Sequence, residues 1–363
     1  MRIGCFYCII MLLYSMNIVA QCGLHPKPVI SDYTYHDSSM IDGNDGCYYS
    51  FASCVVNRYS PDDFTNYYTV AIFRSTDLIN WEFYKYALHP THIGDKGKFP
   101  YVGNKGKIKY YQIWAPEIVR YKNKYKLYVA LRNSYEDSKI ALFESKSISS
   151  DFRFKSIVVS SEKQDKKAFV KSKEIIDPFP FEDCGKLYLV YGSFSRWLNG
   201  KSIEERKGIA SYIVKLNRTG SKICAKPVFL TDYYEGNSIV KHNDRYYLFG
   251  TIGAWKNDSQ VIHYAAADNV MGPYYTHLNL PINDTLSYNP GDKIINNMGV
   301  SNGFGCMTRP VRDRDSNLWV MVNGHYTILP PILSGSPSEE RYSFLFKLLW
   351  NDENKPYLDC KNE

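Results

Sequence analysis

The sequence has little that would make helices. Across its 363 residues no window sustains apolar residues at the 3.6-residue spacing between recognisable caps, so very little helix is expected. Long apolar runs are equally scarce, and after the N-terminal stretch none has the length of a membrane span. There is no Lys/Arg block. The formal net charge of +7 is spread as scattered lysines, the pattern of a solvated surface and not of a nucleic-acid-binding face. Nor do the cysteines make a zinc pattern. Of nine, Cys5 and Cys8 lie in the N-terminal apolar stretch, and the other seven show neither a Cys-x-x-Cys pair nor a Cys/His ligand spacing. An odd number leaves at least one thiol unpaired within the chain whatever disulfides form. Cys47 and Cys54, on one extended run, are roughly 23 Å apart and too distant to bridge directly.

What the N-terminus does have is Arg2, an apolar run from Ile3 to Val19 broken by Tyr14, Ser15 and Asn17, and Ala20 before Gln21. A basic start, a short apolar centre and a small closing residue form the layout of a secretory signal peptide. The expectation is therefore a signal over residues 1–20 and a single domain over 21–363. The mature protein would be secreted (extracellular or periplasmic), with no membrane attachment after cleavage and no nucleic-acid partner. Asn217-Arg218-Thr219, Asn257-Asp258-Ser259 and Asn283-Asp284-Thr285 are glycosylation sequons if the source is eukaryotic.

Tyrosine (32) and phenylalanine (18) are abundant and fall in short alternating runs, which favours strands. One pattern recurs five times: a short run, a polar turn, and an aromatic-aliphatic run. The second runs begin at Tyr48, Tyr125, Leu187, Tyr246 and Leu318, at intervals of 77, 62, 59 and 72 residues. A third strand follows in several copies, at Thr69–Arg74, Ile140–Phe143 and Val261–Ala266. A period near this length with several strands per copy predicts an all-β, five-bladed propeller of four-stranded antiparallel blades around a central channel. A two-sheet sandwich explains neither the period nor the repeated third strand. The Lys-rich stretches Asp95–Lys109 and Ser161–Lys173 lie between copies and read as loops.

Repeat geometry then selects candidate residues. Asp37 lies 11 positions before Tyr48, Trp114 11 before Tyr125, Asp177 10 before Leu187 and Glu235 11 before Tyr246. Equivalent positions in different blades form a ring, so three carboxylates and a tryptophan are expected at one mouth of the channel. A single strand-end acid is more often a turn cap; three at matched positions are harder to assign to turn chemistry. Converging carboxylates suit a hard cation held by oxygen ligands. They also suit glycoside hydrolysis, where one acid protonates the leaving oxygen and one carboxylate activates water. Crowded like charges raise one pKa and keep one group protonated near neutrality.

The ordered set His36-Asp37, Trp114-Ala115-Pro116-Glu117, Ile176-Asp177-Pro178, Gly192-Ser193-Phe194 and Glu235-Gly236 resembles family 43 glycoside hydrolases, the arabinanases, α-L-arabinofuranosidases and β-xylosidases built on five-bladed propellers. The resemblance spans essentially all of the chain after the N-terminal stretch. It implies an inverting glycosidase acting on arabinose- or xylose-containing poly- or oligosaccharides. Asp37 would be the general base, Glu235 the general acid and Asp177 the third acid that holds and tunes Glu235. His36, Trp114, Ser193 and Phe194 would contact substrate. An inverting mechanism implies a base-to-acid separation on the order of 6.5–9.5 Å. Three departures stand out. Ser38 replaces the usual proline after the first Asp. Gly236-Asn237 follows the acid where Ala-Pro is common. Gly303-Phe304-Gly305-Cys306 stands where arabinanases have Gly-x-Gly-His, whose histidine helps hold a channel cation. No cofactor is required by this reading; calcium in the channel is an option, with His325 of Asn323-Gly324-His325-Tyr326 as a substitute ligand. Two other readings are a non-catalytic glycan-binding propeller and a retaining fructan-cleaving one. The latter normally shows Asn-Asp-Pro-Asn, Arg-Asp-Pro and Glu-Cys, which this chain lacks.

Overall fold

The computed structural model describes residues 28–60, 65–94, 97–102, 106–134, 136–193, 209–253, 259–284, 289–296, 303–324 and 341–359. Residues 1–20, Phe194 and His325 lie outside the described residues. Five sheets follow one another along the chain. The first contains β1 (His36–Asp42), β2 (Tyr48–Ser53), β3 (Val70–Ser75) and β4 (Glu82–Tyr86). The second contains β5 (Phe99–Val102), β6 (Ile108–Tyr121), β7 (Lys124–Ser134), β8 (Asp137–Ser145) and β9 (Arg153–Ser160). The third contains β10 (Ile175–Asp183), β11 (Lys186–Ser193), β12 (Ala210–Lys215) and β13 (Val228–Thr231). The fourth contains β14 (Glu235–His242), β15 (Arg245–Ile252), β16 (Val261–Ala267) and β17 (Asp292–Lys293). The fifth contains β18 (Ile295–Asn296), β19 (Phe304–Gly305), β20 (Val311–Arg312), β21 (Leu318–Gly324), β22 (Tyr342–Trp350) and β23 (Pro356–Asp359). The five sheets are the blades of a propeller. A 3₁₀ turn spans Pro90–His92, and among the described residues no helix is long and apolar enough to cross a membrane.

Strand alternation explains why the blades stack. Successive side chains on a strand point to opposite faces, so each middle strand serves two neighbours. On β7, Leu127, Val129 and Leu131 join Phe51 and Ile72 of the first blade, while Tyr128 joins Leu189 and Val214 of the third. Equivalent apolar clusters lie between blades three and four and four and five. The fifth cluster, containing Met40, Phe73, Met321 and Leu345, closes the ring between blades five and one. Backbone bonds reinforce that closure: the Val29 N–H donates to Ser343 O and the Tyr35 N–H to Arg341 O, at 3.0 and 2.8 Å.

Two blades depart from the expected four antiparallel strands. The second gains β5, within a stretch that reads as a loop. Phe99 and Tyr101 of β5 pack on Phe154, with ring centroids 5.4 and 6.1 Å away, and this burial outweighs the polar composition around them. In the fifth blade β18 returns to pair in parallel with β23. The five cysteines among the described residues, Cys47, Cys54, Cys184, Cys224 and Cys306, are free thiols.

Candidate active site

The innermost strands are interrupted at one level. In four of them a β-bulge intervenes between His36 and Ser39, Trp114 and Glu117, Ile176 and Phe179, and Glu235 and Ser238. In blade five the gap between β19 and β20 falls at the same level. The first bulge residue has a left-handed backbone in every blade: φ is 45° at Asp37, 44° at Ala115, 51° at Asp177, 56° at Gly236 and 51° at Cys306. For a non-glycine residue this conformation costs on the order of 1–2 kcal/mol; Asp tolerates it better than most. Pro116 and Pro178 occupy the second bulge position, where the ladder asks for no N–H donor. The pairs Asp37-Ser38, Ala115-Pro116, Asp177-Pro178, Gly236-Asn237 and Cys306-Met307, with Glu117 and Phe179, line a cavity of ≈ 40 Å³.

The observed register corrects the ring read from spacing. Asp37 and Asp177 are equivalent, but Trp114 and Glu235 sit one position earlier, level with His36, Ile176 and Gly305. The cause is the first turn. Asp42 pairs with Tyr48 across six positions, whereas Arg120–Tyr125, Glu182–Leu187 and Lys241–Tyr246 pair across five. Counting back eleven therefore reaches a bulge residue in blade one and the residue before the bulge in blades two and four. The three acids still converge, from two backbone settings.

Each acid has a distinct partner. An Asp37 oxygen faces an Arg341 guanidinium nitrogen at 3.5 Å. Arg341 is delivered by ring closure, since its carbonyl accepts the Tyr35 N–H two residues before Asp37. Asp177 Oδ2 accepts the Gly236 N–H at 2.9 Å, so the third acid grips the backbone beside Glu235. Gln260 Nε2 donates to Glu235 Oε1 at 2.9 Å. Burial pushes Glu235 up to about 7, with a smaller push from Asp37 and opposition from Arg341 and the Gln260 hydrogen bond. Asp177 is also raised, by burial first and then by the charges of Asp37 and Glu235. Three acids at close quarters share fewer than three charges at neutral pH.

The remaining sequence candidates divide. His36 is buried one residue before the first bulge. Trp114 packs on Ala130, Ile176 and Ile209, under the Arg132 guanidinium at 4.8 Å; Arg132 is itself held by Glu174 at 2.7 Å. The buried Trp114 Nε1–H has no acceptor among the described residues. Ser193 is fully buried and its hydroxyl donates to Lys173 O at 3.0 Å, a contact that ties down the entry to β10. Arg341 and Gln260 were not found from the sequence. Neither lies in a repeated motif, and both reach the acids only through the fold.

Among the described residues, those that line the channel make a poor fit for a cation. The second bulge positions offer Ser38, Pro116, Pro178, Asn237 and Met307, a poor oxygen cage for a cation that takes six to eight oxygen ligands. Cys306 presents a soft thiol, pushed well above its usual range by burial and by Asp37. Among the described residues no group of three or more His, Cys, Asp or Glu side chains is placed to hold a metal. The centre instead receives a guanidinium, Arg309, paired with Glu117 at 3.3 Å.

Comparison with known proteins agrees with this architecture. The chain superposes on a thermostable family-43 glycoside hydrolase with a TM-score of 0.64, 20% identity, and 92% and 96% of the two chains covered. It superposes on Cellvibrio cellulosa α-L-arabinanase in complex with arabinohexaose with a TM-score of 0.61, 18% identity, and 90% and 95% covered. A third similar structure is a β-xylosidase/α-arabinofuranosidase from a compost microbial metagenome, bound to xylotriose in a calcium-free form (TM-score 0.62, 18% identity, 94% and 99% covered). No curated protein matches by sequence. The family model described as glycosyl hydrolases family 43 matches residues 26–353. The chain belongs to glycosyl hydrolases family 43 and is a glycoside hydrolase.

Proposed function

We propose that this protein is a secreted, inverting glycosidase that cleaves arabinose- or xylose-containing poly- or oligosaccharides, with Glu235 as general acid and Asp37 as general base. One observation carries the assignment: two carboxyls with different partners, Gln260 on Glu235 and Arg341 on Asp37, converge at one mouth. Burial holds a proton on Glu235 up to about pH 7, and Gln260 fixes one of its oxygens, leaving the other to protonate the leaving group. Asp37, 3.5 Å from the Arg341 guanidinium, is the group that takes the proton from water. In a single displacement, water attacks the anomeric carbon as Asp37 accepts its proton. The glycosidic C–O bond breaks while Glu235 hands its proton to the departing oxygen. Asp177 acts through Gly236, holding the backbone that carries the acid. The unpartnered Trp114 N–H is a donor for a sugar hydroxyl. The similar structures that bind arabinohexaose and xylotriose support a pentose-containing substrate. Export rests on the layout of residues 1–20.

The test is a panel of chromogenic α-L-arabinofuranosides and β-D-xylosides beside linear arabinan and xylan, with the product anomer followed by proton NMR. Release of pentose with the anomer inverted is the expected result. A product of retained configuration would remove the single-displacement mechanism, and no release from any pentoside or polymer would remove the substrate class.

A further inference from the structure

The centre of the channel, two residues beyond the bulges, contains an interaction that the acid–base machinery does not use. Arg309 enters from blade five, and its guanidinium carbon stands 4.5 Å from the centroid of the Phe179 ring in blade three. One terminal nitrogen donates to Pro180 O, and Nε faces Glu117 of blade two at 3.3 Å. Glu117 is buried and occupies the position that Ser39, Phe179 and Ser238 hold in blades one, three and four. Arg309 thus touches the strands that carry Trp114 and Asp177. Burying either charge alone is costly; as an ion pair, with Arg309 stacked on Phe179 and hydrogen-bonded to Pro180 O, they offset each other's charge. We propose that Arg309 is a built-in channel cation, keying blades two, three and five beneath the acids, and that the protein folds without a divalent metal at its centre.

Two of the three departures from the family pattern fit this reading together. A Cβ on Gly236 would stand 2.8 Å from Cys306 Sγ, so glycine after the acid and cysteine in place of histidine are one packing solution. That solution removes an imidazole ligand from the wall. Arg309 then supplies positive charge where a calcium ion would need an oxygen cage, and it repels a second cation from the same space.

The experiment is thermal unfolding of the mature protein, which does not depend on which sugar is cleaved, so its failure and that of the proposed activity are distinguishable. After EDTA treatment, Tm should agree within about 1 °C with and without added CaCl2. R309M should lower Tm by on the order of 10 °C, because Glu117 is left buried without its counter-ion. R309K should recover part of that loss by restoring the charge. The double variant R309M/E117Q should recover most of it, since both charges leave together. A wild-type Tm that falls in EDTA and returns with CaCl2 overturns the proposal, as does R309M unfolding at the wild-type temperature. If R309M does not fold, a double variant that folds supports the pair and one that does not overturns it.

Discussion

Blades one, three and four bring carboxylates to the mouth; blades two and five bring none at the equivalent positions. In all five a residue at positive φ opens an interruption of the innermost strand, a bulge in four blades and a gap in the fifth. On that frame blades one and three put an aspartate on the bulge residue, and blade four puts a glutamate one position earlier. Blades two and five place Ala115 and Cys306 on the bulge and keep their charges, Glu117 and Arg309, farther along. The charges are thus graded by depth: three carboxyls at the mouth, a fixed ion pair at the centre. A fixed frame with interchangeable side chains lets a catalytic site be built without redesigning the blade.

The strongest way to break the contrast is to neutralise one acid. E235Q and D37N should each lower kcat/KM by on the order of 10²–10⁴, measured on whichever pentoside the wild type cleaves. E235Q should also be more stable than the wild type at pH 8. A carboxyl with an ordinary value near 4.5 that is held at about 7 when folded binds more protons folded than unfolded between those values. Stability therefore falls as pH rises through that window. Removing the group removes the penalty, worth about 1–2 kcal/mol once partial exposure is allowed for. The Tm gain should be present at pH 8 and absent at pH 3, below the window. A Tm gain equal at both pH values would contradict the buried-acid account.

The next largest effect tests the packing of Gly236 against Cys306. G236A forces alanine to φ 56° and drives its methyl into the cysteine sulfur. A loss of several degrees in Tm is expected, with activity down on the order of tenfold as the Asp177 grip on the Gly236 N–H shifts. C306A in that background should restore part of both, since the clash is relieved while the backbone strain remains. No recovery would mean that the two residues are not coupled.

What the sequence made legible, and what it hid, follows the same depth. Blade number, hairpin turns and the three acids were readable because strand alternation and turn residues leave a local signal. Tyr125–Val129 after the Lys122-Asn123 turn is one example. The bulge offset was hidden, because a turn one residue longer in blade one cancels against it in a count. Glu117 and Arg309 stood in plain view, in Trp-Ala-Pro-Glu and Thr-Arg-Pro. Their pairing across the channel is a long-range contact that no periodicity reports. Arg341 and Gln260 were missed for the same reason. The strand Phe99–Val102 was missed because the lysines around it outweigh its two aromatic side chains in composition, though not in burial.

A finer test concerns Gln260, which separates Glu235 from the other acids by giving it a hydrogen-bond donor of its own. That bond stabilises the carboxylate and so opposes protonation. Q260L should move the alkaline limb of the kcat/KM profile to higher pH, the direction expected when a donor to the charged form is removed. The maximal rate should fall only a few-fold as the Glu235 rotamer loosens. A limb that moved to lower pH would show that Gln260 does not act on the charged form.

The smallest expected effect carries the contrast out to the rim. Arg74 and Glu82 form an ion pair on the outer strands of blade one, with side chains 38% and 64% exposed. The same two residue types meet at the centre as Arg309 and Glu117, with side chains only 18% and 8% exposed. Screening and side-chain entropy leave an exposed pair with almost no net contribution. R74A should therefore shift Tm by less than about 1 °C and leave hydrolysis unchanged, against a loss on the order of 10 °C for R309M. If the two substitutions cost the same, burial would not be what gives the central pair its weight, and depth in the channel would lose its meaning as the organising variable.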